Sequence, residues 1–134
     1  MKEKYIKTES KEAIVEIHRL LRECVEYGNY LDWNFTKENL KKIDAYEKVI
    51  SKEEYLTINK ICQTFIFPAY CDENYRELIF RKEFGSYNEE GVFVPNSEDS
   101  IERIVNIIYI ECVELGKLID DAFSKNWNLK WKFD

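Results

Sequence analysis

The sequence predicts an all-α protein: one domain over residues 1–134, a bundle of about five helices with a short extended segment at its C-terminus. Three observations carry that expectation. Apolar residues recur three and four apart over most of the chain, which is the period of a half-buried helix. Helix punctuation sits between these stretches, with a Ser51–Glu54 capping box, Pro68 and Gly85. Period-two alternation, the mark of a strand, is confined to WNLKWKF near the end.

Taken in order, Ser10 is placed to cap a long helix whose apolar stripe is Ala13, Ile14, Ile17, Leu20, Leu21, Cys24, Gly28 and Leu31, ending near Trp33. Thr36 opens a shorter helix with Leu40, Ile43, Tyr46 and Ile50 inward. Behind the Ser51 box, a third helix carries Tyr55, Ile58, Ile61, Cys62, Phe65 and Ile66 until Pro68 stops it. A fourth, from about Asp72, holds Tyr75, Leu78 and Ile79 and finishes at Gly85 as its C-terminal cap. The stretch SYNEEGVFVPNSEDS reads as a loop with an extended piece at Val92–Val94. Asn96 or Ser97 starts the last helix, which runs to about Lys125 with Asn126 as terminator. The aromatic tail then pairs with Gly91–Val94 or lies on the core.

Composition bounds the function. Hydrophobic residues make up 45% of the chain, enough for a core without a metal or disulfides. The longest apolar run, ICQTFIF, is interrupted by Gln63 and Thr64, far short of the roughly 20 residues of a membrane span. The start, MKEKYIKTESKE, lacks the apolar stretch of a signal peptide, so a cytoplasmic protein is expected. Cys24, Cys62, Cys71 and Cys112 show no CxxC spacing and read as small buried hydrophobes. Net charge is −6, and its distribution is regional: residues 1–60 carry 12 basic and 12 acidic side chains, residues 72–121 carry 13 acidic against 5 basic. Such a field disfavours direct nucleic-acid binding and favours a basic protein partner. Trp127, Trp131 and Phe133 with Lys130 and Lys132 have the composition of a base-stacking or membrane-interface tail, but an alternating tail of this kind more often covers a core edge.

One stretch occurs nearly twice. ECVEYGNYLDWNF at 23–35 and ECVELGKLIDDAF at 111–123 share seven of thirteen positions. In the first copy Glu23 and Glu26 turn away from the apolar stripe, toward Glu16, Arg19 and Arg22, which describes a solvated face. If the copies repeat a function, it is packing, with Cys24 and Gly28 matching Cys112 and Gly116 as small residues that let helices approach. The last helix has Ile101, Val105, Ile108, Cys112, Gly116, Ile119 and Phe123 on its inner stripe, yet Ile107, Ile110 and Leu118 lie among Glu111 and Glu114 on the other side. A helix apolar nearly all round is central or presents an interface.

Two Glu-x-x-Glu pairs on facing helices can also hold Mg²⁺ through hard oxygen ligands. Glu23, Glu26, Glu111 and Glu114 in this respect resemble the all-α nucleotide pyrophosphohydrolases of the MazG and dimeric dUTPase kind, which use a Glu-x-x-Glu pair and a following Glu-x-x-Asp pair. The resemblance covers those four residues; here the second pair ends in Glu and the pairs stand much farther apart. It implies a metal-dependent nucleotide hydrolase. No other constellation supports catalysis: His18 is the sole histidine, on the margin of the first helix, without Glu-x-x-His spacing, and no glycine run cradles phosphate.

The leading expectation is therefore a cofactor-free protein-binding module, of the immunity-protein, antitoxin or inhibitor kind, that masks a basic site. Glu111, Glu114 and Asp121 meet basic groups in this reading, and Ile107, Ile110 and Leu118 supply the desolvated centre. The hydrolase, and a homodimer joined through the same face, are its alternatives.

Overall fold

The structure is a computed structural model that describes residues 2–71, 81 and 83–127, with side chains from Ser10 onward. Among the described residues it is all-α apart from one small sheet. Helix α1 spans Lys2–Cys24, α2 Trp33–Asp44, α3 Lys52–Ile61, α4 Pro68–Cys71 and α5 Glu98–Trp127, with strands β1 Gly85–Tyr87 and β2 Phe93–Pro95 before α5. Among the described residues no helix is long and apolar enough to cross a membrane.

Helix α1 lays Ala13, Ile14, Ile17, Leu20, Leu21 and Cys24 into the core, as its periodicity requires. Its ends differ from expectation. It begins at Lys2, so Ser10 is inside the helix, where its buried hydroxyl donates to Glu54 Oε1 at 2.7 Å instead of capping. It ends at Cys24 rather than near Trp33. Val25 and Glu26 turn their N–H groups to carbonyls three residues back, and the Asn29 side chain donates to the Glu23 carbonyl at 3.0 Å. That carbonyl is the one a continuing helix would give to Tyr27. Leu31 then takes φ +70°, a left-handed conformation that costs roughly 1 kcal/mol and reverses the chain.

Asp32, not Thr36, caps α2, accepting from the Phe35 amide at 3.1 Å. Thr36 and Asn39 are instead buried polar anchors: Thr36 Oγ1 lies 2.7 Å from the Tyr70 hydroxyl, and Asn39 Nδ2 donates to the Leu20 carbonyl at 3.0 Å. The Ser51 capping box forms as expected, Ser51 Oγ accepting from Glu54 N at 3.1 Å and Glu54 Oε1 from Ser51 N at 2.8 Å. After Ile61 the helix widens into a π-type turn, Cys62–Ile66, closed by Phe67 N–H to Cys62 O at 3.0 Å. Pro68 does not simply stop this helix; it occupies the first position of α4, where its missing N–H is no loss.

The helix expected from Asp72 lies largely over 72–80, outside the described residues, but Gly85 is the first residue of β1 and not a helix cap. A Cβ there would collide with the Val94 carbonyl and come within 2.8 Å of the Phe93 ring and Pro95 Cα. The predicted extended piece is realised as β2, and its described partner is β1: Gly85 faces Pro95, Ser86 faces Val94 and Tyr87 faces Phe93. The tail expected to pair there falls mostly at 128–134, outside the described residues. Ser97 caps α5, its hydroxyl accepting from Ser100 N at 3.2 Å. The helix continues through Asn126, whose side chain donates to the Ala122 carbonyl at 2.7 Å, so Asn126 does not terminate it.

Among the described residues the core is built chiefly from α1, Ile43 of α2 and Ile50 beyond its end, Ile58, Ile61 and Ile66, and Cys112, Leu115, Ile119 and Phe123 of α5. The two similar stretches, 23–35 and 111–123, do not fold alike. The second is unbroken helix, whereas the first ends one helix, turns and begins the next. Gly28 has open space around it, while the place of a Cβ at Gly116 is filled by the Arg22 guanidinium. They are not two copies of one packing unit.

Candidate functional site

Helix α5 carries the surface that the sequence singles out. Ile110, Glu114, Leu118 and Asp121 follow at spacings of four, four and three and share one exposed face, with Ile110 55% and Leu118 46% exposed. Glu111 is half-buried at its edge, and Ile107 is half-buried and packs against the core, so it belongs less to the surface than to what lies under it. The inner stripe is also corrected. Ile101 and Val105 are exposed, and Ile104 and Leu115 take the buried places. A row of every fourth residue drifts around a helix, so Ile101, Val105, Tyr109 and Val113 wind away from the core and enlarge the exposed apolar area of α5. Between 107 and 121 the acidic residues Glu111, Glu114, Asp120 and Asp121 stand against a single basic one, Lys117.

The glutamate pairs are not assembled into one site. Glu23 accepts from Arg19 Nη1 at 2.7 Å and from Asn39 Nδ2 at 3.2 Å, which makes it part of the α1–α2 contact, and Glu26 lies beyond the end of α1. Arg19 also pairs with Glu16, and that hydrogen bond holds the Glu16 carboxyl below the usual range. Among the described residues, no three His, Cys, Asp or Glu side chains are grouped to hold a metal ion.

Where the sequence placed His18 on a helix margin, the structure buries it at 1% exposure between α1 and α5. Its Nε2 lies 2.7 Å from Asp120 Oδ1, and its ring meets Phe123 edge-on at 4.9 Å. A carboxylate only accepts, so Nε2 carries the proton in this bond. Arg22 Nε is 3.1 Å from the same oxygen, and its guanidinium occupies the space over Gly116. Burial pushes the His18 pKa down, against the opposing pull of Asp120, so the imidazole is neutral at pH 7. This cluster cross-links α1 to α5. Three of the cysteines are buried as read, with burial raising Cys24 and Cys112 to about 11 and Cys62 to about 12, but Cys71 is exposed.

A second feature had no motif to announce it. A cavity of about 490 Å³ lies where the chain leaving Leu31, the start of α2, α4 and the β-hairpin converge; its described lining is Leu31, Trp33, Ala69, Tyr70, Cys71, Tyr87, Gly91 and Phe93. Trp33 and Tyr70 stand 5.1 Å apart by ring centres, and Tyr87 and Phe93 5.3 Å apart. These aromatics come from three separated segments and become neighbours only through folding. Comparison with protein-family models, with characterised proteins and with solved structures gives no match to this chain.

Proposed function

We propose that this protein is a protein-binding module that uses the outer face of α5 to engage a basic partner, as an inhibitor or an immunity- or antitoxin-like antagonist does. The observation that supports it is the alternation of exposed Ile110 and Leu118 with exposed Glu114 and Asp121 along one face. Completing the burial of two half-exposed aliphatic side chains contributes about 1 kcal/mol each. The carboxylates around them select positive charge and speed encounter.

The test is capture on immobilised wild type and Glu114→Lys in parallel, followed by reconstitution with each captured protein in purified form. A basic partner that binds one to one, at least tenfold more weakly to Glu114→Lys and to Leu118→Ser while both variants melt like wild type, is the expected result. Equal affinity for the variants removes this face from consideration. Sedimentation equilibrium separates the homodimer: a self-association abolished by Ile110→Glu would replace the basic partner with a second copy of the chain.

A further inference from the structure

We propose that the cavity between the α2 N-terminus, α4 and the β-hairpin is a binding site for a small organic cation of the quaternary-ammonium class, held by the rings of Trp33, Tyr70, Tyr87 and Phe93. The volume, about 490 Å³, falls within the roughly 300–1,000 Å³ of small-molecule pockets. Four aromatic residues among eight described lining positions present π-systems whose negative faces attract a cation. No charged side chain is among those eight, and the positive end of the α2 dipole at the cavity is met by its Asp32 cap, so the described lining offers an anionic ligand no free counter-charge. The charges next to the lining in sequence are acidic: Asp32 stands between Leu31 and Trp33, and Glu89 and Glu90 precede Gly91, all three exposed. A weakly hydrated cation with methyl groups suits both the aromatic walls and this surrounding field, whereas a phosphate or carboxylate suits neither.

Tyr70 and the hairpin that carries Tyr87 and Phe93 are tied down by the fold's own hydrogen bonds. The Tyr70 hydroxyl is held by Thr36 at 2.7 Å. On the other side Asn88 Oδ1 accepts from the amides of Glu90 and Val92 at 2.9 and 3.0 Å, and Asn96 N donates to the Phe84 carbonyl at 2.7 Å. Gly91 at φ +79° lets the loop close this tightly, and the absence of a Cβ at Gly85 leaves room for the Phe93 ring. A preorganised pocket loses little binding free energy to ordering.

The experiment titrates the full chain by calorimetry with tetramethylammonium, with choline, and with the uncharged carbon isostere of choline, in which a tert-butyl group replaces trimethylammonium. Saturable binding of both cations is expected, with the isostere at least tenfold weaker. Trp33→Leu and Tyr87→Leu, each at a side chain more than two-fifths exposed, are each expected to weaken cation binding at least tenfold without a change in melting. Cation occupancy should also slow alkylation of Cys71, the exposed thiol of the lining, and leave the three buried cysteines as they are. An isostere that binds as tightly as choline would show an apolar pocket with no preference for charge and overturn the proposal. Absence of binding by either cation, or binding that survives in whichever of the two variants stays folded, would overturn it equally.

Discussion

Replacing Asp120 by alanine removes the acceptor that the buried His18 ring uses at 2.7 Å and the carboxylate that Arg22 approaches at 3.1 Å. A hydrogen bond to a charged group contributes about 1.5–3 kcal/mol, and the lower end applies here because Asp120 is 24% exposed. The Arg22 pair, with both partners near one-quarter exposed, adds about 0.5 kcal/mol after screening. The sum, about 2 kcal/mol, corresponds for a chain of this size to a Tm lower by roughly 8 °C. The pH dependence has a definite sign. Burial lowers the folded His18 pKa beneath the unfolded value of about 6.5. The unfolded chain therefore takes up a proton that the folded chain does not, so stability is complete above about pH 6.5 and falls as pH drops from there toward the folded pKa. Asp120 opposes the shift, so in Asp120→Ala the folded pKa drops further and the loss continues to lower pH. His18 is the sole histidine of the chain, which isolates its contribution between pH 7.5 and 5.5. Thermal melts across that range on wild type, Asp120→Ala and His18→Gln measure both quantities. A Tm for Asp120→Ala within 2 °C of wild type, or an undiminished pH slope in His18→Gln, would refute the reasoning.

Two further outcomes test the way the helices are joined. Glu54 binds Ser51 N and the Ser10 hydroxyl through Oε1 and Trp127 Nε1 through Oε2, tying α3 to α1 and α5, so Glu54→Ala should lose about 2–3 kcal/mol in urea unfolding. Burial opposes ionisation of Glu54, but the hydrogen bonds from Ser51, Ser10 and Trp127 outweigh it and its pKa is lowered; its contribution is present above about pH 4.3, fades as pH falls through the folded value, and is absent in Glu54→Gln. At Gly116, alanine should gain about 1 kcal/mol of helix propensity yet displace the Arg22 guanidinium. In the Arg22→Ala background the gain should appear in full, and in wild type it should not, a coupling that a double-mutant cycle in urea reads directly.

Helix identity was legible wherever an apolar stripe and a cap agreed. Ser51 and Glu54 combine both signals, and their box forms as written in the sequence. Boundaries failed where a polar side chain took a tertiary partner over a local one. Ser10 and Thr36 have N-cap chemistry, yet they bond to Glu54 and Tyr70, whereas Asn126 bonds within its own helix, to the Ala122 carbonyl four residues back. The early end of α1 is likewise set by a local bond. The apolar residues Val25 and Tyr30 continue the run beyond it and are buried, but in turns held by Asn29, so hydrophobic spacing alone extends the helix past its real end.

The candidate sites divide by the same physics. Ile110, Glu114, Leu118 and Asp121 are readable because a helix face is a local property, set by spacing along one element. The placement of Ile107 against the core and the exposure of Ile101 and Val105 depend on how far neighbouring elements reach along α5, which no spacing within α5 encodes. The His18–Asp120 pair and the aromatic cavity lie wholly on the nonlocal side: their residues are 102 positions apart in one case and drawn from three segments in the other. A hint of the first is present, because His18 stands four after Ile14 and three before Leu21, and Asp120 directly follows Ile119. Each polar residue thus borders a core stripe, where burial without a partner would cost several kcal/mol. Two such residues on helices that must pack together satisfy each other, and the helix pairing that the apolar stripes demand is thereby held to one register.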